Sequence, residues 1–85
     1  MTPLQTTLVQ ITLEVNPRAT AKDVEDLDRK LSDIGIDSLE AMSVMLAVME
    51  RFDIKIPDSE VDNLTTLNRL ADFVERELAR LGRAI

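Results

Sequence analysis

Ser38 is the residue of this chain best placed to do chemistry. It stands in the stretch Ile34-Gly35-Ile36-Asp37-Ser38-Leu39-Glu40. Asp37 is a good helix cap, and Glu40 follows it by three positions, the capping-box spacing. Ser38 then falls at the first helical position, where backbone N–H groups lack intrahelical partners. A hydroxyl there points out at the positive end of a helix dipole, and an anionic group attached to it is favoured by roughly 0.3–1 kcal/mol at an exposed site. Activating the hydroxyl in place is another matter. A serine nucleophile needs a base within hydrogen-bond reach, and the chain has no His, Cys, Trp or Tyr. Gly35 and Gly82 are its only glycines, so no Gly-rich loop can cradle a phosphate. Independent enzyme activity is therefore not expected.

The composition narrows the class. With 85 residues, 45% hydrophobic and 31% charged, the chain reads as one small soluble domain over residues 1–85. No apolar run approaches the ~18 residues of a membrane span. The N-terminus lacks a basic stretch and a cleavage pattern, so no secretory signal is expected. The absence of cysteine makes the cytoplasm the expected compartment. The net charge of −6 is segregated: residues 23–62 hold 12 acidic and 4 basic side chains, and the remainder holds 4 acidic and 6 basic. An acidic zone centred on Ser38 argues against nucleic acid or an anionic membrane as partner. It suits partners that present Lys and Arg patches.

The elements that must position Ser38 are helical. Leu4, Leu8, Ile11 and Val15 recur at helical spacing and predict a first helix over residues 4–15, entered through Thr2-Pro3 and ended at Asn16-Pro17. Residues 16–36 form a long connection tied down by Val24, Leu27, Leu31, Ile34 and Ile36, with a turn or two of helix around Ala21–Leu27. An EF-hand reading of its acidic run fails on ligand spacing and on the missing loop glycine. A second helix over residues 38–52 is apolar nearly all round. Ala41, Val44, Met45, Val48 and Phe52 make one stripe, and Leu39, Met42, Leu46 and Met49 another. A domain of this size cannot bury both, so the first is expected to face the core and the second a partner. Ile54-Lys55-Ile56-Pro57 is a short extended link, and Asp58 is expected to cap a short helix through Asn63. A threonine of Thr65-Thr66 then caps a last helix whose apolar face runs from Leu67 to Leu81, with Gly82 as its stop. The expected fold is all-α: a small four-helix bundle of three longer helices and one short third helix, with a long first loop.

Taken together these pieces resemble the acyl carrier protein family. Gly35-Ile36-Asp37-Ser38-Leu39 is similar to that family's modification motif. Phe52-Asp53, Ile56-Pro57-Asp58 and Thr65-Thr66 follow in the family's order and spacing. The resemblance covers most of the chain. It implies a 4′-phosphopantetheine attached covalently to Ser38 by a phosphopantetheinyl transferase. The thiol that ends this arm holds acyl groups as thioesters, and so supplies the nucleophile the chain lacks. Gly35, Asp37 and Leu39 complete the motif and the cap. Asp37 is expected to help hold the transferase's Mg²⁺, and the chain itself to bind no metal.

The resemblance also implies a partner surface of Leu39, Glu40, Met42, Leu46, Met49 and Glu50, and an acyl-chain pocket against Val44, Val48, Val61, Leu64 and Phe73. The partners it implies are an acyltransferase or acyl ligase and a ketosynthase or related biosynthetic enzyme, served by a monomer. Fatty-acid carriers of the family hold more acidic residues along the second helix, where Ser43 and Met49 stand here. A discrete carrier for a polyketide or specialised lipid is therefore favoured over the housekeeping fatty-acid carrier. An aminoacyl carrier remains an alternative, of the peptidyl or D-alanyl kind, although peptidyl carriers usually show Gly-Gly where Ile34-Gly35 stands. An unmodified helical adaptor is the remaining alternative.

Overall fold

The first helix starts on a reciprocal cap. Thr2 Oγ1 accepts the N–H of Gln5, and Gln5 Oε1 accepts the N–H of Thr2, so two orphan donors are satisfied at once. In the computed structural model, which describes residues 1–83, α1 spans Pro3–Val15 and α2 spans Ser38–Phe52. The single turn α3 spans Asp58–Val61, and α4 spans Leu67–Arg80. No strand occurs among the described residues, and no helix there is long and apolar enough to cross a membrane. The fold is the expected all-α bundle of three longer helices and one short one.

The apolar faces meet as the periodicity requires. Leu4, Leu8 and Ile11 of α1 pack with Val44, Met45 and Val48 of α2 and with Leu67, Leu70, Ala71, Val74 and Leu78 of α4. Thr12, which lowers helix propensity on paper, is fully buried with its hydroxyl donating to Leu8 O at 2.8 Å. Asn16 ends α1: its backbone N–H and its Nδ2 both donate to Thr12 O at 3.0 Å. Asn16 Oδ1 is the one buried side-chain oxygen without a partner among the described residues.

The long connection differs from expectation in where its regular structure lies. Residues 21–24 form turns and no helix, and the regular piece is a 3-10 helix over Leu31–Ile34. Thr20 and Asp23 do make a helix-starting exchange, each backbone N–H donating to the other's side chain at 2.9 and 3.3 Å. That turn does not propagate. Asp26 Oδ1 accepts the N–H of Asp28 at 3.0 Å, a local bond that diverts the backbone from a helix. The connection is then held to the bundle: Leu27 O and Thr65 O accept from the N–H groups of Asn68 and Leu31 at 3.0 and 2.9 Å. Asn68 Nδ2 donates to Asp28 at 2.6 Å, and Gln5 Nε2 donates to Asn68 at 3.0 Å.

Helix α3 is shorter than expected, and Asp58 is its first residue rather than its cap. Pro57, held at φ −62° and ψ 147°, takes the cap position. Turns continue through Asp62 and Asn63. Thr66 caps α4 with Oγ1 on the N–H of Arg69 at 3.1 Å. Gly82 ends α4 in the left-handed region at φ 70°, with Arg83 N–H donating back to Leu78 O at 2.9 Å.

Candidate functional site

The start of α2 is built from the inside out. The 3-10 turn over Leu31–Ile34 stops at Gly35, whose φ of 84° lies in the left-handed region that glycine enters without strain. Ile36 N–H then donates to Leu31 O at 3.0 Å, and the Ile36 side chain is buried. With Ile36 turned inward, the residues after it come to the surface. Asp37 sits in extended conformation, Oδ1 accepting the N–H of Glu40 at 2.8 Å, while Glu40 Oε1 accepts the N–H of Asp37 at 3.3 Å. The expected capping box is present. Ser38 is the first residue of α2 and is exposed. Its Oγ takes part in none of the side-chain hydrogen bonds among the described residues, in contrast to Ser43, whose hydroxyl donates to Leu39 O at 3.1 Å.

Ser38 lines an open cleft of about 420 Å³. Three segments line it with Ser38: Lys30, Leu31 and Ser32 before α2; Ile36, Asp37, Ala41, Met42 and Met45 at and just before the start of α2; and Val61, Asp62, Leu64 and Thr65 around the end of α3. The Leu31 N–H to Thr65 O bond joins the first of these segments to the last.

The other expected site residues divide. Leu39 and Leu46 are 80% and 58% exposed, large apolar side chains on the open face of α2. Glu50 is also exposed, and Glu40 is half-buried and committed to the cap. Met42 and Met49 are half-buried and pack on the core. Met42 lines the cleft. Met49 Sδ accepts the N–H of Ile56 at 3.2 Å and so secures the link after α2. Of the five residues expected around an acyl chain, Val61 and Leu64 line the cleft. Val44 and Val48 are fully enclosed in the packed interior. Phe73 lies in a separate crevice with Glu60, Arg76, Glu77 and Arg80. All five pack in one apolar cluster, but only Val61 and Leu64 face the cleft that Ser38 lines. Lys30 and Ser32, which also line the cleft, were given no role by the sequence, and Ile36, Met45 and Thr65, which line it too, were read only as core, stripe and motif residues. The backbone bond from Leu31 to Thr65 that gathers them has no signature in residue types.

Among the described residues no group of three or more His, Cys, Asp or Glu side chains could hold a metal ion. The end of α2 is fixed from a distance: the Arg83 guanidinium donates to Phe52 O and Asp53 O at 2.8 and 2.7 Å. The arrangement offers an uncommitted hydroxyl at a helix start, room outside it, and a groove beside it.

The family model for the phosphopantetheine attachment site matches residues 7–74, which is most of the chain. Members of that family carry a 4′-phosphopantetheine covalently on a serine. The start of α2 fits such a group. Its hydroxyl is free and exposed, unpaired N–H groups of the first turn favour an anion, and the adjoining cleft has hydroxyls and one ammonium in its lining. The match takes in residues 7–15 of α1, the 3-10 turn, α2 and α3 entire, and residues 67–74 of α4, and the chain belongs to the phosphopantetheine-attachment family of carrier-protein domains.

Proposed function

We propose that this domain is an acyl carrier and that Ser38 is the residue that bears the phosphopantetheine arm. The observation that carries the reading is the exposed, uncommitted hydroxyl of Ser38 at the capped start of α2, beside a cleft lined partly by apolar side chains, within a chain of the carrier family. When bound, the arm supplies a terminal thiol that holds an acyl group as a thioester. The chain's own residues do the rest. Ile36 and the Asp37–Glu40 exchange hold Ser38 outward, where a transferase can reach it. One Asp37 carboxylate oxygen is engaged in the cap, and the other is free to assist the transferase's Mg²⁺. Leu31, Ile36, Met45, Val61 and Leu64 give the cleft a surface on which an arm and a short acyl chain can lie out of water.

Leu39 and Leu46 give α2 an apolar docking surface, and the acidic side chains around it favour partners that offer an apolar pocket rimmed with cations. Such partners are the transferase, an acyltransferase or acyl ligase, and a ketosynthase or related enzyme. The apolar character of α2 favours a polyketide or specialised-lipid pathway over housekeeping fatty-acid synthesis. The domain serves these enzymes without catalysis of its own. Incubation with coenzyme A, Mg²⁺ and a broad-specificity phosphopantetheinyl transferase tests the reading by intact-protein mass. One added phosphopantetheine, absent in Ser38→Ala, supports it. No gain with several transferases contradicts it.

A further inference from the structure

Two cations line separate crevices beside the start of α2, and Ile36 lines both crevices. Arg18 lines a crevice of about 240 Å³ with Asn16, Gly35 and Glu40, and Ser38 takes no part in that crevice. Lys30 lines the other cleft, the one Ser38 shares, and is the only cationic side chain there. Lys30 is exposed, and it enters no ion pair among the described residues. Its backbone is nevertheless held: Lys30 sits in extended conformation before the 3-10 turn, its carbonyl accepts the N–H of Asp33 at 2.9 Å, and the next residue is bonded to Thr65.

A phosphodiester on Ser38 adds one negative charge to a segment, residues 23–62, that already holds 12 acidic and 4 basic side chains. Asp37 and Asp62 line the same cleft. Repulsion from these carboxylates opposes any arm lying in the cleft, and the N–H groups of the first turn of α2 offset it only in part.

We propose that Lys30 is a positioning residue for the arm: its ammonium pairs with the phosphodiester on Ser38 and turns the arm along the cleft toward Val61 and Thr65. This rests on the carrier reading of Ser38. The anion recognised is the phosphodiester itself, so the effect belongs to every cargo alike. Arg18 is not expected to substitute, because it lines the other crevice, in which Ser38 takes no part.

The test compares ¹⁵N-labelled protein before and after transferase loading, in wild type, Lys30→Gln, Lys30→Arg and Arg18→Gln. Intact mass first confirms loading of each. The expected result is that loading shifts the backbone amides of Leu31, Val61, Leu64 and Thr65 in wild type. Those shifts are lost in Lys30→Gln and kept in Lys30→Arg and in Arg18→Gln. They also fade as salt is raised from about 0.01 to 1 M, over which the screening length drops from about 30 to 3 Å. Lys30 is exposed, so unchanged melting of Lys30→Gln separates positioning from folding. Loaded wild type with those amides unmoved, or Lys30→Gln with the wild-type pattern, overturns the proposal and leaves the carrier reading standing. Failure of wild type to load overturns both.

Discussion

Helices α1 and α2 begin alike. Thr2 Oγ1 and Asp37 Oδ1 accept the N–H three residues on at 3.1 and 2.8 Å, and Gln5 and Glu40 return the bond at 2.8 and 3.3 Å. Both caps satisfy the same orphan donors, and both expose the positive end of a helix. The first helical residue is Pro3 in one and Ser38 in the other. Around Thr2 the chain is tied inward, since Gln5 Nε2 reaches Asn68 on α4. Around Asp37 it opens onto the cleft with Lys30, Ser32 and Thr65. A capping box is thus a folding device wherever it occurs. In the proposed reading, a free hydroxyl at the next position, with a cleft beside it, makes a carrier site of one.

The comparison is broken most directly by exchanging the first helical residues. Ser38→Ala abolishes loading and leaves stability within about 0.5 kcal/mol, since the hydroxyl is exposed and unbonded. Pro3→Ser, which places a hydroxyl at the equivalent position of α1, stays unloaded. Loss of folding in Ser38→Ala, or a mass gain at position 3, contradicts this. Next in size is the difference between cleft and core. Val48→Ala empties a fully enclosed position and costs about 2–3 kcal/mol, whereas Val61→Ala in the half-buried cleft lining costs about 1 kcal/mol or less. Denaturant melts decide it, and equal losses deny that the two positions differ.

The caps themselves come next. Asp37→Ala and Thr2→Ala each cost about 1 kcal/mol. Only Asp37→Ala also slows loading, and equal loading rates would reduce Asp37 to a cap alone. On the open face of α2, Leu46→Glu leaves stability within about 0.5 kcal/mol and lowers turnover by partner enzymes, because the side chain is 58% exposed. A large drop in melting temperature would instead place Leu46 in the core.

The smallest effect is electrostatic. The backbone and side-chain hydrogen bonds from Thr20 hold the Asp23 carboxyl below its ordinary value of 3.8. A depressed folded value stabilises above the unfolded one and is lost as pH falls through the folded one. Wild type should therefore lose slightly more stability than Asp23→Asn between about pH 4 and pH 2, as read from melts across that range. Parallel curves would deny Asp23 this role.

Much of this was legible in residue types. The bounds of α2, the Asp37–Glu40 exchange, the threonine cap of α4 and the stop at Gly82 all rest on local chemistry, and local chemistry is what a sequence displays. The first stripe of α2 read correctly at Val44, Met45 and Val48 because burial follows periodicity. The second stripe read less well. Leu39 and Leu46 are open, but Met42 and Met49 are half-buried. The link after α2 folds back on Met49, and Met42 lines a cleft made by residues distant in sequence. The helix expected around Ala21–Leu27 failed because Asp26 bonds its own neighbour, a competition that composition alone does not decide. The cleft depends on Leu31 meeting Thr65, a pairing across the whole of α2 and α3. For that reason Val61 and Leu64 were foreseen on the same grounds as Val44, Val48 and Phe73, which lie elsewhere.

The central claim is that the hydroxyl at the start of α2, and no other, receives the arm. The chain has serines at positions 32, 38, 43 and 59. Fragmentation mass spectrometry of the transferase-loaded protein assigns the added phosphopantetheine to one of them. The account predicts the whole of it on Ser38. An added mass on Ser32, which lines the same cleft, or on Ser59 in α3 would contradict it.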